Sequence, residues 1–295
     1  MPLTHLSPCK VNLLLNILGR RPDGFHELET LMQPVGLSDV LTFERAPTGL
    51  DLTCTDPRLP TDDSNLVYRA AAAFMRAAGH STGVRIHLDK RIPMAAGLGG
   101  GSGNAATTLL ALNDLFGQPL PPQSLVEIAT TLGSDVPFFL QPNPALATGR
   151  GERVEPLPPF PALRGATLLL IHPGFGISTP WAYGELARFP AALQGRPGRA
   201  RELITLLQSG DLHRAGAAFY NSLEAPALDK YPILALYQEF LREHGAAATL
   251  MSGSGSTTFA LFERAAEATL VREMFLGKFG ARCWTALVPA DATQA

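Results

Sequence analysis

The sequence lacks the features that would place it in a membrane, on nucleic acid or in an oxidising compartment. No apolar run approaches the length that crosses a bilayer. Basic residues do not predominate: 24 Lys and Arg stand against 26 Asp and Glu, for a net charge of −2. That excludes a broad basic footprint for nucleic acid, so an anionic ligand must be held by local devices. Cysteine is scarce. Cys9, Cys54 and Cys283 form no metal-ligand pair, and three thiols do not make a disulfide framework. The opening MPLTHLSPCKVNLLLNIL has neither a basic leader nor a small-residue cleavage site, so a soluble cytoplasmic protein is expected.

What is present is a globular composition, 46% hydrophobic and 17% charged over 295 residues, enough for one large or two modest domains. The first third is strand-rich. KVNLLLNIL, HELETLMQPV, VLTFER and GLDLTC read as strands, with the turn-forming GRRPDG after the first. NLVYRAAAAFMRAAG predicts a helix closed by Gly79. GVRIHLDK alternates, with Val84, Ile86 and Leu88 on one face, as a half-buried strand does. NAATTLLALNDLF and QSLVEIATTLG read as helices, and ALATGRGERVEPL as strand, turn, strand. EPLPPFPALRG marks a candidate boundary, giving domains 1–155 and 156–295. Beyond it, ATLLLIHPG predicts a buried strand. Helices are expected near 179–188, 199–208, 211–223, 229–244 and 264–278, PAALQGRPGRAR is expected to be an exposed loop, and ATLMSGSGSTTFALFE and CWTALVP read as strands. This order does not alternate strictly, so the fold class is α+β.

The most informative stretch is PMAAGLGGGSGNAATTL, where Gly97–Gly103 holds five glycines in seven residues. A joining turn needs one or two. Glycine lets backbone approach a ligand closely, and a glycine turn opening a helix aims unpaired N–H groups and the helix dipole at one point. The combination is a phosphate site. The P-loop pattern is excluded, because no Lys-Ser/Thr follows. GSGNAA matches a dinucleotide fingerprint loosely, but after several strands read as antiparallel rather than in a first β-α unit.

These residues bring a family into view. PMAAGLGGGSGNAATTL resembles the second motif of the GHMP kinases, and LMSGSGSTTFALF resembles their third, a second glycine turn. CKVNLLLNILGRRPDGFHELETLM, GSDVPFFL and GRGE are similar to the members that act on a cytidine diphosphate ester of methylerythritol, in isoprenoid precursor synthesis. The resemblance runs from Lys10 to about Phe262. It implies a two-domain fold, with an N-terminal domain like ribosomal protein S5 domain 2 and a ferredoxin-like C-terminal α/β sandwich. It also implies ATP as phosphoryl donor, with Mg²⁺ expected on its phosphates and no dedicated protein metal site. The family usually has paired serines after the three glycines; here the pair is Ser102-Gly103, so wherever the second hydroxyl holds phosphate or metal in the family, a backbone N–H must substitute here. Cys9 stands where alanine is common.

Lys10 alone would be a strand-end lysine reaching solvent, and Asp135, before Pro137, a helix N-cap. The resemblance instead makes Asp135 the general base at the acceptor hydroxyl, with Lys10 stabilising the developing alkoxide. It assigns the ATP phosphates to Pro93, Met94, Ala95, Ala96, Gly97, Leu98, Gly99, Gly100, Gly101, Ser102 and Gly103, with Ser102 the hydroxyl nearest Mg²⁺, and it places Asn65 near adenine. Asn12, two residues along the strand from Lys10 and on the same face, would bond the substrate's polyol or pyrophosphate. Phe25 and His26 would hold cytosine from one side and Tyr183 from the other, with Thr179 and Pro180 close by. Gly253 and Gly255 would approach the pyrophosphate. A homoserine or mevalonate kinase has no base to stack, so Phe25, His26 and Tyr183 argue against one. Retention of Lys10 and Asp135 argues against a catalytically dead nucleotide-binding relative.

Overall fold

A computed structural model describes residues 2–291; the outermost ends of the two expected domains, residues 1 and 292–295, lie outside the described residues. The chain forms two compact units. The first gathers the chain up to Cys9, Leu37–Pro93 and Gly99–Pro142; the second takes Lys10–Gly36, Met94–Leu98 and everything from Asn143.

The first unit holds the start of strand β1 (Leu3–Arg20), the end of β2 (His26–Ala46), β3 (Leu50–Cys54), helix α1 (Leu66–Ala78), β4 (Gly83–Asp89), α2 (Gly100–Leu115), α3 (Pro122–Leu132) and a 3-10 turn at Pro137–Leu140. Strand β4 lies antiparallel to β2, with Val40 opposite Asp89, and parallel to β3, with Leu50 opposite Val84. Its Val84, Ile86 and Leu88 are buried while Arg85 and His87 face solvent, the alternation of a half-covered strand. Helix α1 begins at Asn65, whose side chain accepts from the Val67 N–H, and stops at Gly79, whose φ of 65° is the left-handed cap. Helix α2 has no polar face: from Gly103 to Leu109 every residue is buried, as befits a helix inside its unit.

The second unit contains β5 (Ala145–Gly149), β6 (Arg153–Pro156), β7 (Thr167–His172), α4 (Thr179–Glu185), α5 (Pro190–Leu193), α6 (Arg199–Gln208), α7 (Leu212–Gly216), β8 (Tyr220–Asn221), α8 (Glu224–Lys230), α9 (Ile233–Glu243), β9 (Ala248–Met251), β10 (Thr258–Phe262), α10 (Ala265–Phe279) and β11 (Trp284–Pro289). Four of its strands form an antiparallel sheet in the order β11-β7-β10-β9. With α9 before β9 and α10 before β11, this is the expected ferredoxin-like sandwich. The apolar run in β7 is buried at every residue. Leu169, Ile171, Ala260 and Phe262 from the strands share a core with Tyr237, Phe240 and Leu241 of α9 and Phe275 of α10. Tyr237 meets Phe275 edge-on at 4.8 Å.

Four elements differ from expectation. Residues 26–46 are one strand, because the half before Pro34 pairs with β5 through Leu28–Met32 and the half after Gly36 pairs with β4. The helix expected at 211–223 ends at Gly216, and Tyr220 and Asn221 pair in parallel with Leu14 and Leu15 of β1. The helix expected at 229–244 starts only at Ile233, after the cap Pro232, and residues 229–230 instead end α8, which begins at Glu224. The loop expected at 190–201 contains α5, with Ala192 buried.

Candidate functional site

In the second unit Lys10 and Asn12 of β1 meet Gly97, Leu98 and the turn around Gly253. Lys10 is 3% exposed, so its side chain does not reach solvent as a strand-end lysine would. Its Nζ donates to the Asn12 side-chain Oδ1 at 2.5 Å and to the Gly97 carbonyl at 3.0 Å, and its backbone N–H donates to the Leu98 carbonyl. Asn12, on the same strand face, donates from Nδ2 to the Thr30 hydroxyl at 2.8 Å, and its backbone N–H reaches the Ser252 hydroxyl. That hydroxyl in turn donates to the Gly97 carbonyl at 3.0 Å. One backbone oxygen therefore receives both an ammonium and a hydroxyl.

The glycines permit this approach. Gly97 has φ 76°, and a Cβ there would run into the Ser252 carbonyl and come within 3.0 Å of the Gly255 nitrogen. A Cβ on Gly253 (φ 58°) would lie 3.0 Å from the Gly97 carbonyl. The two turns thus pack backbone on backbone, and the Thr257 N–H closes the seam on the Ala96 carbonyl at 3.2 Å. Asn221 holds the second turn from beneath, donating to the carbonyls of Met251 and Gly253 at 2.7 and 2.8 Å. Sequence reading misses Thr30, Ser252 and Asn221 as site residues. Ser252 lies inside the quoted motif, whereas Thr30 and Asn221 carry no local signal.

In the first unit, α2 starts at Gly100, four residues earlier than the helix expected from NAATTLLALNDLF. Gly100–Gly103 are therefore its first turn, and Gly99 (φ 69°) is an N-cap without a side chain. The N–H groups of Gly100, Gly101 and Ser102 precede the first intrahelical bond, from the Gly103 N–H to the Gly99 carbonyl. Gly101 is exposed and Ser102 half-buried. The Gly103 N–H is spent inside the helix. A side chain there would meet the Pro8 carbonyl oxygen, with the Ser7 hydroxyl 3.4 Å away. Asn65 is occupied as the α1 cap, and its Nδ2 donates to the Pro60 carbonyl at 2.6 Å. Asp135 lies half-buried in the turn after α3. It is not the N-cap of the following 3-10 turn, which starts after Val136 without side-chain capping.

The segment Arg21–Phe25 is a turn locked by its own residues. Arg21 N–H bonds the Phe25 carbonyl at 2.7 Å, and the Asp23 carboxylate accepts from the Phe25 N–H at 3.1 Å. Arg21 is paired with Asp23 and Glu27. This fixes Phe25 in the open, 53% exposed, with the Arg150 guanidinium 4.6 Å over its ring. His26 and Tyr183 are brought together at 5.2 Å between centroids. Burial, assisted by the Arg20 charge, lowers the His26 pKa below its ordinary 6.5, so the ring is neutral at pH 7 and can both donate and accept. Thr179 opens α4 and hydrogen-bonds the Ser254 hydroxyl at 2.8 Å, and Pro180 beside it is exposed. Among the described residues no group of three His, Cys, Asp or Glu could hold a metal ion, and no helix is long and apolar enough to cross a membrane.

Comparison with known proteins gives this geometry its context. Residues 65–142 match the GHMP kinases N terminal domain and residues 190–281 the GHMP kinases C terminal domain. The chain is 43% identical to the 4-diphosphocytidyl-2-C-methyl-D-erythritol kinase of Pelotomaculum thermopropionicum, over 88% of this chain and 89% of the relative. Its identity to the kinase of the same name from Syntrophus aciditrophicus is 42%, over 94% of this chain and 96% of the relative. A crystal structure of 4-(cytidine 5'-diphospho)-2C-methyl-D-erythritol kinase superposes with a TM-score of 0.77 at 38% identity, covering 97% of this chain and 99% of that one.

Proposed function

The chain belongs to the 4-diphosphocytidyl-2-C-methyl-D-erythritol kinases, within the GHMP kinases, and we propose from that premise how its own residues carry the reaction. It is an ATP-dependent kinase. The reaction moves the γ-phosphoryl group of ATP onto the 2-hydroxyl of 4-diphosphocytidyl-2-C-methyl-D-erythritol, leaving the 2-phosphate and ADP, as a step toward isoprenoid precursors. The observation that carries the reading is the Gly97 carbonyl, at which the phosphate loop, the second glycine turn and Lys10 meet.

Phosphoryl transfer asks mainly for positioning and charge neutralisation. The N–H groups at the start of α2 supply a fixed set of donors for the triphosphate, and the helix dipole adds partial positive charge. Residues 93–103 wrap it, and Asn65 contributes near adenine. Asp135 accepts the proton of the 2-hydroxyl as that oxygen attacks the γ-phosphorus in line, and ADP departs. The Lys10 ammonium, held by Asn12 and Gly97, stabilises the developing alkoxide. Asn12, Gly253 and Gly255 bind the polyol and pyrophosphate. Phe25 offers cytosine an open ring face, His26 its edge contacts and Tyr183 the opposing wall, with Thr179 and Pro180 beside it. Ser102 is a hard oxygen donor in the first turn of α2, which suits a magnesium ion arriving on the triphosphate. Such an ion supplies charge neutralisation on the phosphate oxygens and needs few protein ligands. The division into an N-terminal domain (1–155) that carries the ATP loop and a C-terminal domain (156–295) belongs to the same reading, as does a cytoplasmic location.

ADP release with Mg-ATP, and with the cytidine compound, homoserine or mevalonate in separate reactions, tests the assignment. Turnover with the cytidine compound alone is expected. Turnover with either of the others would remove the base-binding role of Phe25, His26 and Tyr183.

A further inference from the structure

The glycine loop is held at both stems by one buried carboxylate that neither motif contains. The β2–β4 ladder stops at the pair Val40–Asp89. One residue before Val40, Asp39 is fully buried, and its carboxylate takes over where the ladder ends. Oδ1 accepts from the backbone N–H of Arg91 at 2.7 Å and of Ile92 at 2.8 Å. Oδ2 accepts from the Asn104 side-chain amide at 2.9 Å and pairs with the Lys90 ammonium. Residues 90–92 lead into the loop, and Asn104 sits in the second turn of α2, directly after it. Asn104 is tied a second time, to the Ser7 hydroxyl at 2.8 Å. The Lys90 Nζ is brought to the loop's far side, 3.2 Å from where a Cβ on Gly100 would stand.

We propose that Asp39 is a positioning residue for the phosphate loop, fixing the spacing between its two stems and with it the direction of the N–H groups of Gly100, Gly101 and Ser102. The inference rests on the reading of 97–103 as the ATP phosphate loop. A loop so rich in glycine has only Leu98 and Ser102 as side chains with which to hold its own shape, and its conformational entropy is high. Preorganised donors need their geometry fixed from outside. A carboxylate with four donors from the two stems does that, and a charge so deeply buried requires all of those donors.

Asp39→Asn keeps shape and one acceptor oxygen but turns an NH₂ group toward two donors, the Asn104 amide and the Lys90 ammonium. Asn104→Ala cuts only the helix-side tie. Gly101→Val reports on the loop itself, since Gly101 is exposed and a Cβ there meets nothing closer than Leu66 at 3.6 Å. With the full chain, at a temperature where circular dichroism shows each variant folded, KM is measured for ATP and for the cytidine substrate, and amide exchange is followed by mass spectrometry. In Asp39→Asn the ATP KM is expected to rise about tenfold or more, with the cytidine-substrate KM within about twofold. Exchange should quicken over residues 91–103 and stay unchanged elsewhere. Asn104→Ala should move the ATP KM in the same direction by a smaller factor, and it decides the matter if Asp39→Asn does not fold. A merely structural role would lower the folded fraction and quicken exchange throughout, without splitting the two KM values. Unchanged ATP KM in the folded stem variants, with a raised value in Gly101→Val, would overturn the role of Asp39 alone. Unchanged ATP KM in Gly101→Val would overturn the phosphate-loop reading beneath it.

Discussion

Lys10 shows what a single residue reveals and conceals. Its type and strand position are plain in the sequence, yet a lysine beginning an apolar strand ordinarily reaches water. Here it is buried because its acceptors lie both nearby and far along the chain: Asn12 two residues on, and the Gly97 carbonyl 87 residues on. The bond from Asn12 to Thr30 spans 18 positions and that to Ser252 spans 240, so no local spacing announces either. The RPDG turn is legible because it is built from its own residues, the Asp23 carboxylate accepting from the Phe25 N–H and the Arg21 N–H reaching the Phe25 carbonyl. For Asp135 the expectation is specific: Asp135→Asn should lower kcat by about 10²–10⁴-fold with both KM values little changed, the effect of losing a general base. Steady-state kinetics with each substrate varied in turn checks it, and near-normal kcat would take the proton transfer away from this carboxylate.

Elements were legible where the pattern is local and obscure where a distant partner decides. The periodicity of GVRIHLDK and the Gly79 cap of α1 are contained in their own segments, and the structure repeats them. The short strand β8 owes its existence to a parallel partner, Leu14 and Leu15, so a helical pattern around it misleads. The start of α2 misleads in the opposite direction, since a run of glycine argues against helix yet forms its first turn. Gly103 belongs there for a steric reason. Gly103→Ser should place a Cβ against the Pro8 carbonyl and cost about 1–3 kcal/mol. Thermal unfolding should register this as a fall of about 2–4 °C per kcal/mol. An unchanged or raised Tm would mean that the first turn of α2 can move away from β1 freely.

At the level of the whole molecule, acid should be the sensitive direction. Burial lowers the pKa of His172 below 6.5, and its Nδ1 accepts from the Gly174 N–H, so the folded state holds this ring neutral. His26 is lowered for the same first cause. Between their folded values and 6.5 the unfolded chain binds more protons, so these rings cost the native state stability as pH falls below about 6.5 and have no effect above it. Unfolding midpoints from pH 7.5 to 5 should decline on the acid side, and His172→Asn should make that decline shallower. An identical slope in the variant would remove His172 as a contributor.

The Gly97 carbonyl has a consequence for how this chain can vary. Because Lys10 and Ser252 share that one oxygen, and because the turns around Gly97 and Gly253 touch through bare backbone, neither turn can change length by itself. One residue added to either would shift the register of both and carry the Lys10 ammonium with it. The two turns, joined by a hydrogen bond between residues 155 apart along the chain, therefore behave mechanically as one piece.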